Sequence, residues 1–381
     1  MTDWHGRLQR TQHLASTLAA RGHDCYYFNP HLGRQYDKLY SRDPSPRVAE
    51  LRVRLAELHV RLPTEPVYHH RLLAPGETQS IADALDPLAA RHGNSVVQVV
   101  SFPTWGPAAL LLRERYGWPI IYDCHDLLEG FNNVAREIVD AEPAVLESAD
   151  FVVFSSDYLH KVYEHRVKLR PGRVALLRNA VDARFVADRG ATDRKIAGYI
   201  GALQDWFDAD AVRAAAMANR DALFRIVGRV ERLPVRELAS LPNVELAGEV
   251  PHERLPEILS GFTIGLIPFV VNELTRAANP IKMYEYFSAG LPVVSTRLPE
   301  VELYSDLVYI ADSAQDFARQ VSSALTEDDM GLRERRREVA RGETWEQRAD
   351  QLLKIAQTIL PGPDNPTAPT HRDPRRAGEN R

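Results

Sequence analysis

A lysine and a glutamate stand close together near the start of one segment in the second half of the chain. The segment NPIKMYEYFSAG lies between the apolar runs IGLIPF and LPVVST, an order typical of a strand, a helix and a second strand. Asn279 is placed to cap this helix, and Lys282 falls in its first turn, where the helix dipole disfavours a cation. A lysine there is explained if an anion binds, because a helix amino terminus beside a lysine suits a diphosphate.

Glu285 follows Lys282 by three positions and lies near the same face of the predicted helix. Its carboxylate could accept hydrogen bonds from a sugar diol, so the two side chains together fit a phosphorylated sugar compound. The alternative is an ordinary ion pair between Lys282 and Glu285 on a solvated helix face. The two residues alone do not decide between these interpretations.

Two aspartates and a histidine stand at the end of the predicted strand PIIYDCHD in the first half. Ligands of open α/β sheets bind beyond the carboxyl ends of the strands, so a catalytic base is expected here. Because Asp123 and Asp126 are three positions apart, at most one should point squarely into a cleft. Capping of the following loop or helix is the alternative. We interpret His125 as a loop histidine and keep Glu129 as a reserve candidate for the base.

Two further positions could contact a diphosphate. Gly201 stands in a tight turn after the predicted strand IAGYI, where a small residue lets the backbone approach a ligand closely. Arg229 follows the predicted strand FRIVG and could add positive charge. An ordinary surface arginine explains Arg229 equally well.

Strand-like and helix-like segments alternate through most of the chain, which predicts an α/β protein with parallel sheets covered by helices. The polar segment RGATDRK at 189–195 predicts a hinge, so we expect two doubly wound, Rossmann-like domains facing across a cleft. The predicted domains span 1–188 and 196–344. A crossover helix is expected over 345–360 and a disordered tail over 361–381.

The composition narrows the possible functions. A length of 381 residues suits two domains, and a net charge of −5 gives no reason to expect a nucleic-acid partner. Cys25 and Cys124 lie in apolar runs without a CxxC neighbour, which indicates buried thiols in a reducing compartment. We find no membrane-spanning run, signal-peptide core, GxGxxG or Gly-Lys dipeptide, so a cytoplasmic protein without a dinucleotide fingerprint or P-loop is expected.

The segment NPIKMYEYFSAGLPVVST resembles the donor-nucleotide motif of GT-B glycosyltransferases. Other stretches follow in the order of that family, from QRTQHLASTLAARGHDCYYFNP through IIYDCHD, LLRNAVD and IAGYIGALQDWFD to TWEQRA. The resemblance covers nearly the whole chain to about residue 360. Within the class it is strongest to bacterial polysaccharide enzymes of the xanthan glucuronosyltransferase and teichuronic acid type.

The resemblance implies transfer of a sugar from a nucleoside diphosphate sugar, such as a UDP-sugar, to a cell-surface polysaccharide, a lipid-linked or another glycan acceptor. No metal or other cofactor is expected. An aspartate in this stretch is the base of xanthan-type enzymes, which makes Asp126 the first choice here and Asp123 the second. The retaining branch has a glutamate eight positions before the one matched by Glu285, where this chain has Ala277, and inversion is therefore favoured.

The start of the chain departs from the family, whose members open with an apolar strand before the QR-containing helix. Only Met1 and Thr2 precede Asp3 here, so we expect a start codon further upstream, with a sheet lacking its central strand as the alternative. The resemblance places Asp3 and Gly6 near the cleft, with Arg7 and Arg10 entering the helix. A solvated helix face explains Arg10 equally well.

Two other functions stay open. A nonhydrolysing epimerase of UDP-N-acetylglucosamine shares the two-domain architecture, and a non-catalytic protein could keep only the nucleotide site. The arginines among aliphatic residues at 38–62 could also lie on an anionic membrane beside a lipid-linked acceptor. A plain amphipathic strand or helix is the alternative for that segment.

Overall fold

A computed structural model describes residues 4–5, 8–29, 47–60, 62, 69–182, 185, 195–230 and 232–361. Several residues singled out above lie outside these ranges: Asp3, Gly6 and Arg7 of the first loop, residues 38–46 of the arginine-rich segment, most of the predicted hinge, and the tail from residue 362.

The first half of the chain carries its strands in two sheets. One has the order β1-β3-β2, with β2 antiparallel to β3, and the other is parallel with the order β4-β5-β6-β7. Among the described residues, no strand pairs with the outer edge of β1 or of β4. The strands are β1 Cys25–Phe28, β2 Arg47–Arg52, β3 Leu55–His59, β4 Gln98–Val100, β5 Ile120–Cys124, β6 Phe151–Phe154 and β7 Val174–Leu176.

Helices pack against these sheets through their apolar faces. Residues of β5 and β6 are buried throughout, as expected for parallel strands covered on both sides. The helices of this half are α1 Arg10–Ala20, α2 Pro75–Ala84, α3 Asp86–His92, α4 Gly106–Tyr116, α5 Arg136–Ser148 and α6 Asp157–Glu164. A 3-10 turn at Leu128–Gly130 follows β5.

The second half forms one parallel sheet of six strands in the order β10-β9-β8-β11-β12-β13. Its strands are β8 Ile196–Ile200, β9 Leu223–Val227, β10 Val244–Gly248, β11 Ile264–Ile267, β12 Val293–Thr296 and β13 Val308–Ala311. Its helices are α7 Ala209–Ala218, α8 Leu233–Glu237, α9 Leu255–Ser260, α10 Glu273–Ala277, α11 Ile281–Ser288, α12 Pro299–Glu302, α13 Ala314–Ala324 and α14 Met330–Gly342. The predicted α/β class is confirmed, with a Rossmann-like parallel sheet covered by helices in each half.

The last helix returns to the first half of the molecule. Helix α15, Trp345–Ile359, is capped by the Thr344 hydroxyl, and its Leu352 packs with Ile121 of β5 and Phe151 of β6. At the start of this helix, Trp345 N–H donates to the carbonyl of Val181. The two segments that connect the halves therefore lie side by side.

Several sequence-based boundaries were wrong. The sequence pattern predicts one helix over 77–91, but the chain forms α2 and α3 there, because Leu85 ends the first and Pro87 has no N–H to continue it. The pattern also predicts a helix over 252–260, which begins instead as a 3-10 turn at His252–Arg254. The described part of the arginine-rich segment at 38–62 forms the β2–β3 hairpin.

Candidate functional site

The ammonium of Lys282 lies in an aromatic pocket at the start of α11. Its Nζ is 4.8 Å from the centre of the Phe269 ring and 5.4 Å from that of Tyr199. Burial lowers the pKa of Lys282 to about 8, and the negative charge of Glu285 opposes that shift. Among the described residues, no carboxylate forms an ion pair with this ammonium. A cation held here without a direct ion-pair partner is suited to bind an anion.

Glu285 lies one turn further along α11. Burial raises its pKa to about 7, the charge of Lys282 opposes the rise, and the nearby Asp182 adds to it. Lys282 and Glu285 are both partly buried and are not in direct ion-pair contact. The alternative of an ion pair on a solvated helix face is therefore wrong.

Glycines at the carboxyl ends of β8 and β9 let two loops meet beside Lys282. A Cβ atom at Gly201 would lie 3.4 Å from Lys282 Nζ, and one at Gly228 would lie 2.0 Å from the Gly201 carbonyl oxygen. Only glycine fits at Gly228, and its φ of 157° is one that other residues rarely adopt. Arg229 follows it as an exposed residue. Gly201 and Lys282 are thus brought together, and Arg229 lies at the same edge of the sheet.

Asn279 does not cap α11 as predicted, because Pro280 occupies the N-cap position. The Asn279 side chain instead binds one residue within α11 and two residues outside it. Its Nδ2 donates to Tyr284 Oη at 3.1 Å and to Glu300 Oε2 at 2.8 Å. Asn279 Oδ1 accepts from the Asn179 N–H at 2.9 Å. These bonds fix the loop that leads into α11.

Asp123 is buried at the end of β5 and is held by Arg10 of α1. Arg10 Nε donates to both carboxylate oxygens at 3.0 Å, and Nη2 donates to Oδ1 at 2.8 Å. Burial alone would raise the pKa of Asp123, but the charge and hydrogen bonds of Arg10 outweigh it and lower the pKa. The solvated helix face considered for Arg10 is wrong, since Arg10 is only 3% exposed.

Asp126 stands in the loop after β5, with 41% of its side chain exposed. Its Oδ2 is 3.5 Å from His125 Nε2, and His125 Nδ1 is 3.0 Å from the carbonyl oxygen of Asp123. Glu129, the reserve candidate, pairs with Arg166 at 2.7 Å. Of these three carboxylates, Asp126 is the one that is exposed and that forms no ion pair with a described arginine. The role of Asp126 or Asp123 as a base stays a prediction.

The loop after Asp126 contacts the second half of the chain. A Cβ atom at Gly130 would lie 2.6 Å from the Leu274 side chain, so this glycine permits a close approach to α10. Asn132 Nδ2 donates to Asp205 Oδ2 at 2.9 Å in the loop after β8. The loop that carries Asp126 and the loops around Lys282 therefore lie at the same boundary between the two halves.

Sequence reasoning missed Asn179 and Glu300, which join the two halves beside this site. Asn179 lies in the LLRNAVD stretch that carried part of the resemblance, but nothing local showed its partner. Glu300 accepts from Arg178 Nε at 2.7 Å and from Asn279. Both residues bind partners about 100 positions away, which no local pattern reports.

The described residues contain no group of three or more histidines, cysteines, aspartates or glutamates arranged to hold a metal ion. None of the described helices combines the length and the apolar character that crossing a bilayer requires.

Comparison with known proteins gives two family matches that together span most of the chain. Residues 9–185 match Glycosyltransferase Family 4, and residues 194–327 match Glycosyl transferases group 1. A Bacillus subtilis (strain 168) protein named as a teichuronic acid biosynthesis glycosyltransferase, TuaH, is 29% identical over 318 residues. The aligned region covers 76% of this chain and 77% of that protein.

Solved structures show the same fold. Sucrose-phosphate synthase from Thermosynechococcus elongatus superposes with a TM-score of 0.69 at 18% identity, and the match covers 92% of each chain. Anabaena HepE, solved in complex with UDP and glucose, has a TM-score of 0.57 at 12% identity. That match covers 75% of this chain and 84% of HepE. At these identities the similarity concerns the fold alone.

Proposed function

The chain belongs to the GT-B glycosyltransferases, and from that premise we propose that it uses a UDP-sugar to extend a cell-surface polysaccharide or its lipid-linked precursor. The proposed donor site is formed by Lys282, Glu285, Asn279, Gly201 and Arg229, and the proposed base is Asp126. We propose that the reaction inverts the anomeric carbon and takes place on the cytoplasmic side of the membrane.

The unpaired ammonium of Lys282 carries this proposal. A partly buried cation with no carboxylate in ion-pair contact is costly, and a bound diphosphate would supply a direct counter-charge. Gly201 lies against the same ammonium and lets a phosphate approach the backbone. Glu285, one turn along the helix, is then placed to accept hydrogen bonds from the ribose hydroxyls. Structures of this fold that contain UDP support the choice of nucleotide.

In the proposed reaction the acceptor hydroxyl gives its proton to the Asp126 carboxylate. The acceptor oxygen forms a bond to the anomeric carbon while the bond from that carbon to the diphosphate oxygen breaks. UDP leaves with the electron pair, and the ammonium of Lys282 stabilises the negative charge that develops on it. A metal-independent reaction is proposed because Lys282 can supply this positive charge.

The acceptor class is proposed from the relative named for teichuronic acid biosynthesis. The β2–β3 hairpin also supports a peripheral contact with an anionic membrane. Val53 at its tip is 77% exposed and stands between Arg52 and Arg54. An apolar residue flanked by arginines suits the interface of such a membrane, where lipid-linked acceptors are found.

The direct test is release of UDP from UDP-sugars in the presence and absence of polyprenol-linked or soluble glycan acceptors. Release that depends on the acceptor, with a product linkage inverted relative to the donor, is expected. Conversion of the UDP-sugar to an isomer without any acceptor would point to the epimerase. Binding of UDP without turnover of any donor would point to the non-catalytic protein.

A further inference from the structure

A continuous series of buried hydrogen bonds runs between the two halves of the chain through Asn179. Arg10 Nη1 donates to Asn179 Oδ1 at 3.0 Å. On the opposite side, Asn179 Nδ2 donates to the Asn279 carbonyl oxygen at 2.6 Å, and the Asn179 N–H donates to Asn279 Oδ1 at 2.9 Å. The side-chain amide of Asn179 thus accepts a hydrogen bond from α1 through its oxygen and donates one to the loop before α11 through its nitrogen.

Each end of this series leads to one part of the proposed active site. Arg10 also holds Asp123, which is followed two residues later by His125 and then by Asp126. Asn279 stands three residues before Lys282 and is anchored by Glu300. The series therefore connects the segment that carries the proposed base with the helix that carries the proposed phosphate ligand.

The chemistry of the series favours one relative position of the two halves. Arg10, Asp123, Asn179, Asn279 and Glu300 are all buried, so water cannot replace a bond that is broken. A shift of α11 against α1 would leave an amide or a charged group without a partner in a medium of low dielectric constant. A change in the position of α11 is thus transmitted to Arg10 and Asp123.

We propose that Asn179 is a positioning residue that couples occupation of the donor site at α11 to the conformation of the Asp123–Asp126 segment. This inference rests on the proposed function, because it assumes that UDP binds at Lys282. Asn179 does not touch the substrate and acts through Arg10 on one side and Asn279 on the other. A purely structural residue would stabilise the fold without making the base segment respond to UDP.

The variant Asn179→Asp removes the donor function of the side-chain amide and keeps its acceptor function. Its carboxylate still accepts from Arg10, but it cannot donate to the Asn279 carbonyl and repels it. Asn179→Ser, which truncates the side chain and removes both bonds of the amide, is the second variant. The matched control is Asn243→Asp, because Asn243 is also buried and its Nδ2 donates to the carbonyls of Ala216, Asn219 and Ala222 within the second half alone.

The measurement is amide hydrogen exchange of residues 124–130 with and without saturating UDP, together with the UDP dissociation constant of each variant. UDP should slow this exchange at least about fivefold in the wild-type chain and in Asn243→Asp. In Asn179→Asp and Asn179→Ser the protection should disappear, while the dissociation constant changes less than about threefold, because the proposed UDP ligands Lys282 and Glu285 are unchanged.

The outcomes separate this inference from the proposed function. Wild-type protection of residues 124–130 in both Asn179 variants overturns the positioning role, as does an equal loss of protection in Asn243→Asp. A wild-type chain that binds no UDP overturns the proposed function and this inference with it.

Discussion

Arg10 and Asp123 form a buried ion pair that joins the first helix to β5, one of the two inner strands of the four-stranded sheet. The guanidinium donates to both oxygens of the carboxylate, and the two side chains are 3% and 1% exposed. The pair keeps Asp123 ionised, but both of its carboxylate oxygens already accept hydrogen bonds from the guanidinium. The neighbouring Asp126 is 41% exposed, which is why it is the proposed base.

Replacement of Arg10 by alanine should destabilise the protein strongly, because it leaves the Asp123 charge buried without its partner. We expect the free energy of unfolding to fall by about 3–5 kcal/mol, measured by urea denaturation. The control is Arg136→Ala, which removes an exposed pair with Asp140 and should cost about 0.5 kcal/mol or less. Equal effects of the two substitutions would contradict a dominant role of the buried pair.

Much of the fold around the proposed donor site could be predicted from local sequence patterns. The apolar runs IGLIPF and LPVVST around NPIKMYEYFSAG located β11, α11 and β12 within one or two residues, and the Lys282–Gly201 contact joins two candidates chosen separately. The orientation of Asp123 was not predictable, because every residue of β5 is buried and no alternation marks its two faces. The partners of Asn279 and Arg10 depend on how the two halves meet, which sequence spacing does not report.

Glu142 makes the stability of the first half depend on pH. Burial raises its pKa to about 7, and hydrogen bonds from Tyr163 and Tyr122 oppose the rise. Below the ordinary pKa of 4.5 the carboxyl group is protonated in both states. As the pH rises towards 7, it ionises first in the unfolded chain, so the free energy of unfolding should fall, by at most about 3 kcal/mol.

Glu142→Gln should remove this contribution, because glutamine stays neutral over the whole range. The difference in melting temperature between pH 5 and pH 8 should become smaller than in the wild type. Glu147→Gln, an exposed position on the same helix, should leave the wild-type difference in place. A Glu142→Gln variant with the wild-type pH dependence would show that Glu142 is ionised in the folded protein at pH 5.

Asp126→Asn tests the proposed base. The substitution keeps the shape of the side chain, so the affinity for UDP should be nearly unchanged, while kcat falls by about 10²–10⁴. Steady-state kinetics with the acceptor that supports wild-type turnover measure this effect. Full activity of Asp126→Asn would move the proposal to Asp123 or Glu129. A retained anomer in the wild-type product would exclude the base-catalysed inversion itself.

The most direct test of the account is the affinity of UDP for the Lys282→Ala variant, measured by isothermal titration calorimetry. Loss of the only proposed phosphate-binding ammonium should weaken binding by about 1.5–3 kcal/mol, the range for a hydrogen bond to a charged group. The control Lys161→Ala removes an exposed lysine paired with Asp157 on α6 and should bind UDP like the wild type. Wild-type UDP affinity in Lys282→Ala, with the fold intact by circular dichroism, would contradict the assignment of α11 as the donor site.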